Sequence, residues 1–69
     1  MDYVAVSSSN IAAIAYDEVR QILGVRFHTG REYWYHHVPS SVYLHFLRAG
    51  SKGSYLAAFV KPRYRCTRA

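Results

Sequence analysis

The residues of this 69-residue chain able to bind a metal or move a proton are four histidines, one cysteine and four carboxylates. Their spacing assembles no site. Adjacent His36 and His37 point to opposite faces of a strand, His45 falls on a helix, and no Cys or carboxylate spacing completes a tetrahedral set. No metal and no cofactor is therefore expected. Ser7 to Ser9 and Cys66 lie outside any nucleophile-elbow or Cys-His pattern, and Asp17 after Tyr16 is explained by a turn. Ser51 and Gly53 are a helix cap and a close-packing residue, since one serine and one glycine make no phosphate loop. The expectation is a protein that is not an enzyme.

The charge pattern says more. All four acids lie within the first 32 residues beside Arg20, Arg26 and Arg31, a segment of net charge −1. The remainder carries Arg48, Lys52, Lys61, Arg63, Arg65 and Arg68 with no acid. A one-signed half attracts polyanions, although a basic tail also keeps a small protein in solution. Lys61, Arg63, Arg65 and Arg68, joined by Lys52, form a candidate phosphate-tracking set with Tyr64 interleaved as a stacking residue. Trp34, flanked on its strand face by Arg26 and His36, is the second candidate for stacking on an unpaired base. The expected partner is RNA or another polyanion, bound weakly and with little sequence choice. The alternative is a protein partner or a homodimer formed through exposed hairpin aromatics or an edge strand.

These side chains need elements to hold them. Ser7-Ser8-Ser9-Asn10 reads as a turn, and Ile11 to Tyr16 as a short strand whose alanines also suit a helix. Leu23, Val25 and Phe27 alternate at period 2 within Gln21–His28, Thr29-Gly30 turns the chain, and Glu32 to Val38 is an aromatic-rich strand. If the loop is His28-Thr29-Gly30 with Gly30 left-handed, Val25 opposes Tyr33, Leu23 opposes Tyr35, and the tyrosines face the core. If the loop is only Thr29-Gly30, the tyrosines turn outward with Arg26. The position of Gly30, third in the loop, favours the first register. After Pro39, Ser40 or Ser41 can cap a helix with Val42, Tyr43, Phe46 and Leu47 inward, stopped at Gly50. Ser51 can cap a second helix, Lys52 to Val60, burying Tyr55, Leu56, Phe59 and Val60 and ending before Pro62. The tail from Arg63 pairs as an edge strand or frays. The fold class expected is α+β: a three-stranded antiparallel β-meander followed by two short α-helices packed on one face.

Across these elements runs a pattern: Ser8-Ser9-Asn10-Ile11, Tyr16-Asp17, Leu23-x-Val25-x-Phe27-x-x-Gly30, Tyr33-x-Tyr35, Val38-Pro39, Ala49-x-Ser51-x-Gly53, Tyr55 and Tyr64. From about residue 7 to 64 it resembles the KTSC domain, a family named for a segment at the C-terminus of some lysyl-tRNA synthetases and found also as small stand-alone bacterial and phage proteins. Ala57 and Ala58 depart from it, where the family's second helix often has polar residues. The resemblance implies one small domain; RNA binding follows only by analogy with the synthetase setting.

Length and composition agree with a single domain over residues 1–69, its last nine residues, 61–69, a basic C-terminal tail. An apolar fraction of 51% with eleven aromatic residues is enough to fill a small core. One cysteine makes no internal disulfide, Met1 to Ser9 show no signal-peptide pattern, and no apolar run approaches a membrane span. A cytoplasmic location is the expectation.

Overall fold

The computed structural model describes residues 1–69 and is an antiparallel meander of five strands in chain order, with a helical layer on one face. The strands are β1 (Val4–Ala5), β2 (Ile11–Asp17), β3 (Ile22–Phe27), β4 (Glu32–Tyr35) and β5 (Cys66–Arg68). Between β4 and β5 lie α1 (Ser40–Arg48) and α2 (Lys52–Tyr55), the latter running on into a π-helical turn over Leu56–Val60. The α+β class expected from sequence holds, with five strands in place of three. The two extra strands, β1 and β5, are two and three residues long, too short for a period-2 pattern to register. Of the two fates left open for the last residues, the structure has the edge strand. Residues 61–69 are thus less a tail than the final turn and strand of the fold.

One residue inserted in β2 decides which side chains form the core. Ile11 pairs with Phe27 and Ala13 with Arg26, so Ala12 is the extra residue of a bulge. Ile11 and Ile14 are three apart and would otherwise face opposite sides; the bulge turns both toward the helices, where they are buried with Leu23, Val25 and Tyr35. Phe46 of α1, Leu56 and Val60 of the π-helical turn, and Val38 close this core from above. Phe59 and Leu47, expected inward, are 48% and 39% exposed. The helical layer presents only Phe46, Leu56 and Val60 fully to the sheet, with Val42, Tyr43 and Tyr55 half-buried around them.

The β3–β4 hairpin takes the register with Val25 opposite Tyr33 and Leu23 opposite Tyr35. Its loop is closed by Phe27 and Arg31 backbone groups, with Gly30 at φ +93°. Strand β4 stops at Tyr35 rather than Val38, because His37 is left-handed at φ 58° and swings the chain across the core. Val38 then lies fully buried with both backbone groups bonded. Its amide donates to the Gln21 carbonyl at 2.9 Å, and its carbonyl accepts from the Tyr16 hydroxyl at 2.6 Å. Tyr16 also stacks on Tyr43 of α1 at 4.6 Å. Pro39 is the helix cap, its carbonyl accepting from Val42 and Tyr43, so neither Ser40 nor Ser41 caps α1. Ser51 does cap α2, accepting from the Ser54 amide.

Tyr16→Phe should cost about 1 to 3 kcal/mol in urea unfolding, since it strands a buried carbonyl. Phe46→Ala should cost about 3 to 5 kcal/mol, comparable with the whole stability of a domain this small, and leave the chain largely unfolded at 37 °C by circular dichroism.

Candidate functional site

The helices leave part of their own side of the sheet uncovered. Helix α1 has nine residues and so runs only about 13 Å. At the end of the sheet near the β3–β4 turn an open groove of about 480 Å³ remains. Phe27, Tyr33 and Tyr35 form its floor, the first two packed edge to face at 6.0 Å. Lys61, at the end of the π-helical turn, places its ammonium 5.8 Å from the Phe27 ring centre. The hairpin turn contributes His28, Thr29 and Arg31, and the approach to β2 contributes Ser9 and Asn10. No carboxylate lines it.

Local bonds explain how these groups are held. The His28 amide donates to the Asn10 carbonyl and its ring Nε2 to the Ser8 carbonyl, both at 2.9 Å, tying the hairpin turn to the lead-in of β2. The Ser8 hydroxyl accepts from the Ile11 amide, and the Ser9 hydroxyl donates to Asn10 Oδ1 at 2.9 Å. Asn10 lies flat against Gly53 of α2, where a Cβ would come within 3.1 Å of Oδ1. The Ser-Ser-Asn run and Gly53, far apart in the chain, thus meet at one rim. Tyr35 is 3% exposed, yet its hydroxyl makes no hydrogen bond within the protein and is not sealed from solvent. Burial, then the neighbouring Cys66 and Tyr33, push that hydroxyl up to about 12, so it stays a neutral donor.

The site residues expected from sequence are scattered. Only Lys61 borders the groove. Arg68, opposite Tyr33, stands on the same face one strand further out. Arg63 lies over Phe59 at 5.9 Å, and Lys52 is half-buried in α2. Tyr64 packs against the core, which removes it as a free stacking residue. Arg26, Trp34 and His36 do share a face, but it is the one opposite the helices, and there they are already engaged. Arg26 is paired with Glu32 at 3.0 Å and lies over the Tyr3 ring at 4.2 Å. Those bonds, from Arg26 first and then Tyr3, hold the Glu32 carboxyl below its ordinary range. The Trp34 indole donates to the Tyr3 hydroxyl at 3.2 Å, and His36 is bonded to Thr67 Oγ1 at 2.7 Å. Trp34 is therefore a half-buried partner of the N-terminal segment and not an open platform. Sequence reasoning missed Asn10, His28 and Arg31 as groove residues, and their one advance signal was the Ser8-Ser9-Asn10 run, which read locally as a turn and entered the family pattern with no role of its own.

Comparison with known proteins matches the KTSC domain model over residues 7–64. A protein of Tsukamurella paurometabola is 45% identical over 60 residues, covering 87% of this chain and 90% of that one. An uncharacterised protein of Stutzerimonas stutzeri is 38% identical over 64 residues, covering 93% and 90%. The crystal structure of a KTSC domain protein from Yersinia pestis superposes with a TM-score of 0.94 at 31% identity, covering 99% of this chain and 96% of that one.

Two outcomes follow from this geometry. A Cβ on Gly24 would meet the Tyr3 hydroxyl at 2.5 Å, so Gly24→Ala should displace Tyr3 and red-shift the fluorescence of Trp34, the sole tryptophan, while the far-ultraviolet spectrum persists. Because folding raises the Tyr35 pKa from 10.0 to about 12, its contribution to stability is complete below pH 10 and lost as pH rises toward 12. Urea midpoints should fall across that window, and less steeply in Tyr35→Phe; raised Tyr3 and Tyr16 keep some slope in the variant.

Proposed function

This chain belongs to the KTSC domain family, and on that footing we propose that it is a non-enzymatic module binding single-stranded RNA through the groove beside the β3–β4 turn. The observation that carries this is the groove's make-up: an aromatic floor of Phe27 and Tyr33, a rim bearing His28, Arg31 and Lys61, and no carboxylate. Single-stranded nucleic acids are held by that combination, bases stacking on rings for about 1 to 3 kcal/mol each while cations meet the phosphates. Arg68, on the same face, extends the positive rim along β5. Phosphate contacts of this kind give affinity without sequence choice. Because β5 completes the sheet and Tyr64 packs on the core, deleting residues 61–69 would damage the fold, so the charges are tested by substitution.

Lys61, Arg31 and Arg68 make about three phosphate contacts, which corresponds to a slope near −2 for log affinity against log salt on a single strand. Fluorescence anisotropy with a labelled RNA oligomer should show that slope. Lys61→Gln with Arg31→Gln should weaken binding and bring the slope to about −0.7. A flat salt response, or no binding at about 50 mM salt, where phosphate contacts act at nearly full strength, would overturn the proposal.

A further inference from the structure

The groove is small for a site that tracks a strand. Its volume of about 480 Å³ falls in the range of small-ligand sites, roughly 300 to 1,000 Å³. The cations stand at the rim and the rings at the floor, so a phosphate has its partners outside and a planar base has its partners inside. The polar groups left over specify the base. Tyr35 is almost wholly buried at the floor, and its hydroxyl, which makes no hydrogen bond within the protein, is the part of this groove-lining residue that solvent reaches, so it can bond to a ligand there. At the rim, Asn10 Oδ1 already accepts from Ser9, which leaves Nδ2 as the free end of that side chain. Gly53 keeps the amide in place by having no Cβ to push against it. An amide donor and a hydroxyl whose proton has no acceptor ask for a ligand that carries acceptors.

Building on the RNA-binding role above, we propose that the groove takes one unpaired nucleotide and that the Tyr35 hydroxyl selects a base carrying carbonyl oxygens, uracil over adenine. Uracil offers two ring carbonyls to donors at the floor and rim. Adenine has no carbonyl: its acceptors are ring nitrogens, and the exocyclic amine beside them is a donor that Asn10 Nδ2, itself a donor, cannot serve. One neutral hydrogen bond has a net worth of about 1 kcal/mol, which is about fivefold in affinity.

The test compares labelled oligo(U) and oligo(A) by anisotropy on the wild-type chain, Tyr35→Phe and Asn10→Ala, with thermal melting alongside. Wild type should bind oligo(U) about fivefold more tightly. Tyr35→Phe should remove that preference while melting at or above the wild-type temperature, since the lost hydroxyl has no partner in the fold. Asn10→Ala, at an exposed position, should narrow the preference without changing the salt slope. Equal binding of the two oligomers by wild type, or an unchanged preference in Tyr35→Phe, overturns the base-selection inference and leaves the RNA-binding proposal standing. Failure of both oligomers to bind overturns the two together.

Discussion

The position of Val38 is the constraint on which the rest of the molecule depends. Its side chain is fully buried, its amide is held by Gln21 and its carbonyl by Tyr16, so the chain leaving β4 is fixed at three points before the first helix begins. The residues around it are what such a pin requires. His37 takes a left-handed turn to bring Val38 inward, and Pro39, with φ already restricted, starts α1 without needing a side-chain cap. The Tyr16 ring serves twice, bonding Val38 and stacking on Tyr43, and so sets how α1 crosses the sheet. With that direction fixed, the short α2 and its π-helical turn return over the sheet and bring Leu56 and Val60 into the core. Lys61 then lands beside Phe27.

The two faces of the sheet are consequently covered by different means. On one side the helical layer packs on Ile11, Ile14, Leu23, Val25 and Tyr35 and falls short of the hairpin end. On the other, Tyr3 lies across the small residue Gly24 and takes up Arg26, Glu32 and Trp34 in one polar cluster. That cluster satisfies its own charges. The groove does not, and this asymmetry leaves the unpaired cations on the tyrosine face and not on the tryptophan face.

How much of this was legible follows from whether the determinants are local. The hairpin register was readable because Gly30, third in a three-residue loop, needs a positive φ that only one register supplies. The Ser51 cap was readable for the same reason. The bulge at Ala12 was not, because an Ile-Ala-Ala-Ile spacing suits a helix turn as well as a strand with one extra residue. The site was harder still. Lys61 was marked by charge, but its neighbours come from segments that only the folded chain brings together, and no local pattern reports where a helical layer ends. Trp34 misled because exposure was inferred from its strand face alone, whereas the group that covers it, Tyr3, is 31 residues away in the chain.

The pairing of β4 with β5 has a consequence for the order in which the molecule assembles. Strands β1 to β4 join successive neighbours through short connections, the kind of local contact that forms early. Strand β5 closes the longest loop of the sheet, since both helices lie between Tyr35 and Cys66, and it is three exposed residues long. Its pairing therefore carries a larger loop-closure cost than the hairpins do, and the edge of the sheet that bears Arg68 gains least from local contacts. A ligand on the face that Arg68 shares with Tyr33 would lie across the strand pair that closes the longest loop of the sheet.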